Sequence, residues 1–242
     1  MSDDLDSLLG AKLLELVKGY VVNYFYNFRK LYVADKGNKK KAIGVDIALM
    51  EGKTWDNHIT LMQPSRDSIN EQSANLNSIF QIDSENYTAK YAGSTCLQIW
   101  SYYDIPLPPT DVGKMILLAI DSTYLGHYIP RFQHTQNEYL EMMSMTELID
   151  LLNKYDKRDF EKIKKQFCTN HKIFVRNNGF LRTSIKLDEI GDILNLDLSL
   201  PDKSFVLFRN FKDDQFTLSS ELKGQVFSLA LTNANGGKYT YF

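Results

Sequence analysis

The sequence predicts an α/β fold in which an N-terminal parallel-sheet domain, residues 1–168, carries a smaller C-terminal α+β or β domain, residues 169–242. Three observations predict it. Short apolar runs end in single aspartates, at Asp46 in IGVDIAL and Asp121 in ILLAIDST, as buried strands do when they deliver a carboxylate to the crevice of an open α/β sheet. Helical stripes lie before, between and after these runs as far as residue 168. From residue 171 the texture changes to short strands, with turn signals at Asn177-Asn178-Gly179, Pro201-Asp202 and Asp213-Asp214.

In chain order, residues 7–18 place Leu9, Leu13 and Leu16 beside Val17 at spacings of a helical period, with Asp6 or Ser7 as the cap. Residues 20–34, rich in aromatic and β-branched types, read as one or two strands. Lys39–Lys41 belong to a solvated turn. Residues 42–49 read as a short buried strand carrying one acid, and Ile59–Met62 as a further strand. Residues 64–90 are polar and hold SANLNSI at 73–79. Residues 91–103 read as a helix opening on small and hydroxyl residues and closed by Pro106, Pro108 and Pro109. Residues 112–120 suit a central strand or a buried helix end, and 134–168 a helical region. Residues 172–182 interleave Lys172, Phe174, Arg176, Phe180 and Arg182. Bases could stack there, but a plain strand with alternating faces explains the pattern better.

Composition bounds the function. In 242 residues, 28 basic and 30 acidic side chains give a net charge of −2, which disfavours a broad footprint for long duplex nucleic acid but leaves a small anionic substrate open. Cys96 and Cys168 are too few for a disulfide framework and match no zinc-ribbon spacing. The N-terminus is acidic before it is apolar, the reverse of a secretory signal. No run approaches the ~18 apolar residues of a membrane span. A soluble, cytoplasmic protein without membrane partners is expected.

Acids beside apolar segments are the candidate chemistry: Asp4 and Asp6 in DDLDS, Asp46, Asp56 in TWDNH, and Asp121. Each alone reads more readily as a cap or turn residue. Converging at one sheet edge, they would repel unless cations lay between them.

Their order resembles the DHH phosphoesterase family, which includes single-strand exonucleases, oligoribonucleases and nucleotide phosphodiesterases. Ser2-Asp3-Asp4-Leu5-Asp6-Ser7 with Gly10-Ala11 is similar to its first motif, and Asp46 to the second. Asp56-Asn57-His58 is similar to the Asp-His-His motif. Residues 91–97, YAGSTCL, resemble its Ser-Thr-initiated helix, and residues 117–123, LLAIDST, its fourth motif. The resemblance covers about residues 2–130. Ser2 and Asn57 stand where the family has histidines, and only nine residues separate Asp46 from Asp56, where the family usually places a helix. A strand should also precede the first motif; Met1 leaves no room for it, so that strand is expected to be absent from the sheet or to lie outside the sequence.

The resemblance implies a hydrolase that uses two divalent metal ions, Mn²⁺ or Mg²⁺. Asp46 would be shared, Asp4 and Asp121 would serve one ion and Asp6 the other, Asn57 would be a weak carbonyl ligand, and Asp56 would complete the set. His58 would touch the substrate phosphate or donate a proton. The substrate would be a phosphodiester in short single-stranded nucleic acid or a small nucleotide, and a homodimer is compatible with the sequence. Ser94 and Thr95, which read as helix caps, would also face phosphate at a helix N-terminus. His127 and Arg131 lie close enough in sequence to line the crevice, although a structural imidazole and a surface ion pair are the plainer readings. Asn235-Gly236-Gly237-Lys238 resembles the family's Gly-Gly-His substrate loop, with Lys238 in place of His; the plain reading is an Asn-Gly turn. The alternative function is a catalytically degenerate member that binds a nucleotide or a protein partner.

Overall fold

The structure, a computed structural model, describes residues 1–63 and 70–242; the first residues of the polar segment read from 64 onward, 64–69, lie outside the described residues. It is a mixed α/β fold of helices and several small sheets, one of them parallel.

Helix α1 spans Leu5–Lys18. Asp4 caps it by accepting the Ser7 N–H, and Gly19 closes it in the left-handed region at φ 66°, where glycine carries no Cβ penalty. Strands β1 (Tyr24–Tyr26) and β2 (Lys30–Val33) form an antiparallel hairpin. The main chain of Met1 lies beside β1: its amino group donates to Tyr24 O and its carbonyl accepts from Tyr26 N, both at 3.0 Å. Strands β3 (Gly44–Val45), β4 (Thr54–Trp55) and β5 (Ser73–Ala74) pair in parallel, followed directly by the short helix α2 (Leu76–Ile79). Helices α3 (Thr95–Tyr102), α4 (Asp111–Ala119), α5 (Pro130–Met142), α6 (Thr146–Lys154) and α7 (Lys157–Phe167) come next. After them come the hairpin β6 (Phe174–Val175) and β7 (Leu181–Arg182) and helix α8 (Leu187–Leu194). Strand β8 (Val206–Asn210) adds to β2. Strands β9 (Lys212–Thr217), β10 (Val226–Asn233) and β11 (Gly236–Tyr241) form an antiparallel sheet ordered β10-β11-β9.

One continuous core runs from Leu8 and Leu13 of α1 through Trp100, Ile116 and Phe160 to Ile190 and Phe205, so it crosses the boundary expected near 168–172. A smaller core of Ile59, Ile82, Phe216, Leu229, Leu231 and Tyr239 lies under the C-terminal sheet. Helix α1 approaches the parallel sheet at Gly10, where an added Cβ would come within 2.8 Å of Val45 Cγ1. No helix among the described residues is long and apolar enough to cross a membrane.

Several expectations are corrected. The parallel sheet has three two-residue strands; the larger sheets are antiparallel. Of the two readings of residues 112–120, the structure takes the helical one: Thr110 caps a helix with the Gly113 N–H, and α4 buries Met115–Ala119. Ile59–Met62 forms no strand; Ile59 makes an isolated bridge to Leu231. Asp213-Asp214 lies inside β9 rather than in a turn, and α8 falls in a region read as strands.

Candidate metal centre

The pairing of β3 with β4 decides where the first two acids go. The register sets Gly44 beside Thr54 and Val45 beside Trp55, so Asp46 and Asp56 leave the ends of adjacent parallel strands together. The link of eight residues, 46–53, joins these strands without a helix, which explains how so short a connection keeps both acids at one edge. Asp46 N–H still donates to Trp55 O at 2.8 Å, and Asp56 N–H to Ala74 O at 3.2 Å. Asp46 then turns into the left-handed region at φ 55°, a conformation that Asp tolerates better than most side chains.

Asp46 is buried and lies at the centre of the cluster. Its Oδ2 accepts from Ser2 Oγ at 2.9 Å and its Oδ1 from Thr95 Oγ1 at 3.3 Å. Oxygens of Asp6, Asp46 and Asp121 lie within 4.8 Å of one another; ligand atoms of Asp46, Asp56 and His58 meet the same limit. Asp46 belongs to both sets. Asp121 follows α4, not a strand, and is aimed by two consecutive left-handed residues, Asp121 at φ 50° and Ser122 at φ 57°.

The remaining expected ligands divide. Both oxygens of buried Asp6 accept backbone N–H groups at the start of α3, Thr95 at 2.7 Å and Cys96 at 2.6 Å. Asp4 is in neither set: one oxygen caps α1 and the other receives Lys172 Nζ at 3.0 Å, which also reaches Asp3 at 2.9 Å. Asn57 Nδ2 donates to Gly93 O at 2.5 Å, and its Oδ1 is buried with no hydrogen-bond partner. Asp56 holds His58 through Nδ1 at 2.7 Å and accepts from Asn75 Nδ2 at 3.1 Å.

The electrostatics follow from this crowding. Burial, then the charges of Asp121, Asp46 and Asp4, push Asp6 well above the usual carboxylate range. Burial and Asp4 do the same to Asp46, against the pull of His58. Asp121, exposed on the cleft wall, is raised by desolvation among its neighbours and by Asp4, and held back by His58 and by hydrogen bonds with Asp6 and Asn57. Burial alone would lower His58, but the charge and hydrogen bond of Asp56, with Asp46 and Asp121 behind them, raise it to about 10. His58 is therefore an imidazolium at neutral pH. Lys172, although desolvation works against it, is raised by Asp4 and Asp3. Among the described residues, the cluster contains six carboxyl groups, counting Asp3, and two cations.

A cleft of about 320 Å³ opens beside the cluster, lined by Asn57, His58, Lys90, Asp121 and Ser122 and, from β10, Leu231. The other expected residues lie elsewhere or serve the fold. Ser94 caps α3 through the Leu97 N–H, whereas the Thr95 hydroxyl reaches Asp46. His127 is buried against Asn137 and Gln133 and does not line the cleft. Arg131 is exposed and stacks on Phe132 at 4.4 Å. Gly236, Gly237 and Lys238 are in β11, paired on both sides; the turn precedes them. A Cβ at Gly236 or Gly237 would run into the carbonyl oxygens of Phe216 or Ala230, so close strand packing accounts for both glycines. Sequence reasoning missed Lys172 as a counter-charge, Asn75 as a support for Asp56, and Gln98, whose Nε2 donates to Asp56 O at 3.0 Å. The local signals were the Asn-rich SANLNSI segment and the helix face of Gln98.

Compared with protein-family models, curated proteins and solved structures, the chain matches none.

Proposed function

We propose that the chain is a divergent DHH-like, metal-dependent phosphodiesterase acting on short single-stranded nucleic acid or a small nucleotide. The observation that carries this reading is the position of Asp46 in two ligand sets at once. The donors fit two hard divalent ions such as Mg²⁺ or Mn²⁺: carboxylate oxygens, one imidazole, and the unpartnered carbonyl oxygen of Asn57. Each oxygen of Asp6 and of Asp46 already accepts a donor, an arrangement that favours ionised carboxylates. Without a cation, carboxyl groups this crowded hold protons above their ordinary range; divalent ions would supply the charge that lets them ionise.

In this reading Asp6, Asp46 and Asp121 hold one ion, and Asp46, Asp56 and, once deprotonated, His58 hold the other, with Asn57 Oδ1 adjoining. When bound, such ions polarise a phosphate and lower the pKa of a water. Ser2 and Thr95 fix the rotamer of Asp46. Asp56 fixes the ring of His58, which faces the cleft and binds the phosphate or donates a proton to the leaving oxygen whenever it is not a ligand. Lys90, on the cleft wall, supplies positive charge for the substrate.

A second reading, a degenerate member that binds a nucleotide or a partner, is favoured by one specific observation: His58 Nδ1, the ligand atom it would offer, is already taken up by Asp56 Oδ1 at 2.7 Å. Incubation with a short single-stranded oligonucleotide or a dinucleotide, with Mn²⁺ or Mg²⁺, separates the two. Cleavage by wild type and its loss in Asp46→Asn are expected. If wild type cleaves no phosphoester under either ion, the enzymatic reading falls and the binding reading replaces it.

A further inference from the structure

We propose that the β6–β7 hairpin is a docking ribbon for single-stranded nucleic acid, with bases stacked on Phe174 and Phe180 and phosphates held by Arg176 and Arg182. The proposal rests on the phosphodiester reading of the acid cluster and narrows its substrate to an oligonucleotide rather than a mononucleotide.

The local sequence builds the ribbon. Asn177-Asn178-Gly179 turns the chain: Gly179 N donates to Arg176 O at 2.8 Å and Arg176 N to Phe180 O at 2.9 Å, and Gly179 takes the left-handed region at φ 85°. Behind the turn, Val175 pairs with Leu181 and Phe174 with Arg182. Directly opposed residues of an antiparallel pair share a face, and successive residues alternate between faces. Val175 and Leu181 face inward and join the main core. Phe174, Arg176, Phe180 and Arg182 therefore face outward together, each ring across from an arginine.

The core makes little use of this outward face. Phe174 is 53% exposed and Phe180 39%, so both rings forgo much of the burial that ordinarily holds a phenylalanine in a fold. Among the described residues, neither guanidinium has a carboxylate partner and neither lies over an aromatic ring. Residues 171–186 contain Lys172, Arg176, Arg182 and Lys186 and no acid, in a chain of net charge −2. The two lysines are paired outside that stretch, with Asp3 and Asp4 and with Glu189; the two arginines are left for an anionic partner. Rings set between those cations select a partner whose charges alternate with flat faces. Single-stranded nucleic acid has that pattern. An acidic peptide supplies the charge without the rings, and a duplex keeps its base faces stacked on one another.

The ribbon starts at the acids. Ile173 N donates to Asp3 O at 2.7 Å, and Lys172, two residues before Phe174, reaches Asp3 at 2.9 Å and Asp4 at 3.0 Å. The charge of Asp4 acts on both Asp46 and Asp121, which puts the foot of the ribbon at the rim of the metal cluster. At about 3.3 Å per residue, Lys172 to Arg176 covers about 13 Å, so a strand docked on the rings runs towards the acids over a few nucleotides.

The test uses the intact protein in EDTA, so that binding is read apart from metal and chemistry. The probes are labelled oligothymidylate and oligouridylate of about twelve nucleotides, followed by fluorescence anisotropy; the tighter of the two is carried through the variants. It should bind at least tenfold more tightly than a duplex of the same length. Phe174→Ala with Phe180→Ala should weaken it at least tenfold, and Phe174→Trp with Phe180→Trp should keep it. Arg176→Gln with Arg182→Gln should reduce the slope of log affinity against log salt by about 1.4, at about 0.7 per phosphate contact, and serves if the alanine pair fails to fold. No binding of either probe, or binding that neither pair of substitutions changes, overturns the ribbon. So does a poly-glutamate peptide that binds as tightly and loses affinity with the same phenylalanines, which assigns the face to an acidic protein. Binding that the variants lose, without any phosphodiester cleavage by wild type, upholds the ribbon and removes only the hydrolase reading. Oligonucleotide cleavage equally fast in wild type and both variants does the reverse.

Discussion

The Asp6 carboxylate and the Thr95 backbone N–H meet at 2.7 Å although 89 residues separate them in the chain. One acid of the first helix therefore closes the N-terminus of the third, where the helix dipole favours negative charge. It also brings the Thr95 hydroxyl to Asp46. Asp6→Ala would leave two buried N–H groups without acceptors, at about 1–3 kcal/mol each. The expected loss of stability is about 2–4 kcal/mol by denaturant unfolding. Asp6→Asn, which keeps one acceptor, should lose about half as much. Equal, small losses in both would assign Asp6 to metal binding alone.

Asp46→Asn should behave differently. Asn accepts the left-handed backbone at φ 55°, and the substitution removes a buried charge repelled by Asp4 and Asp121. Stability without metal should hold or rise, while Mn²⁺ heat is lost at both ligand sets together and hydrolysis falls by at least ~100-fold, since the lowered pKa of bound water depends on the assembled site. Loss of one Mn²⁺ equivalent with the other intact would show that Asp46 is not shared.

Stability should depend on pH in a metal-reversible way. Asp6 and Asp46 titrate above their ordinary range in the folded protein, so the folded form holds more protons than the unfolded chain, and stability falls as pH rises from about 4. His58, raised to about 10, adds in the same sense: its contribution is complete below about pH 6.5 and is lost as pH rises through about 10. The buried Met1 amino group, lowered to about 5, works in the opposite sense between about pH 5 and 8, so the clear expectation without divalent ions is a melting temperature that falls from pH 8 to pH 10. Mn²⁺ at 100 times its Kd should restore about 2.7 kcal/mol, with the shift growing as pH rises. Scanning fluorimetry in EDTA and in Mn²⁺ measures both; a flat EDTA profile would contradict the charged cluster.

Gly10→Ala probes the support of the site. The new methyl would press on Val45 Cγ1 at 2.8 Å and Ile99 Cδ1 at 3.0 Å. Overpacking at about 1–3 kcal/mol outweighs the helix-propensity gain of about 1 kcal/mol. Because Val45 precedes Asp46, Mn²⁺ affinity should fall as well. Adding Val45→Ala, which clears the contact, should recover part of both; a strictly additive double variant would rule out this coupling.

How far the sequence carried the site depended on whether geometry was local. Asp46 and His58 were readable because a buried strand and a tight turn fix them within a few residues. Asp121 was legible as a candidate at the end of an apolar run that fits a strand or a buried helix equally, and α4 resolves the choice through its Thr110 cap. The partner of Asp4 was not legible, because Lys172, 168 residues away, gives no local sign that it will reach the carboxylate. The glycines near the C-terminus looked like a phosphate loop because Gly-Gly reads the same whether a ligand or a neighbouring strand approaches it; here the strands do. The extent of the parallel sheet was overestimated because two-residue strands satisfy the strand-then-acid pattern as well as long ones.

Leu231, in the last long hairpin, bridges to Ile59 and forms part of the cleft wall. Tyr26 Oη joins Ser228 and Thr240 at 3.1 and 2.7 Å. The clustered acids are made early in synthesis, but one wall of their cleft arrives only with residues near 231. On a ribosome, the N-terminal half must wait with a partly open, highly charged crevice until the closing strands emerge. Contacts this distant in sequence close slowly, so completion of the cleft, rather than formation of the helices, is expected to set the pace at which newly made chains become competent.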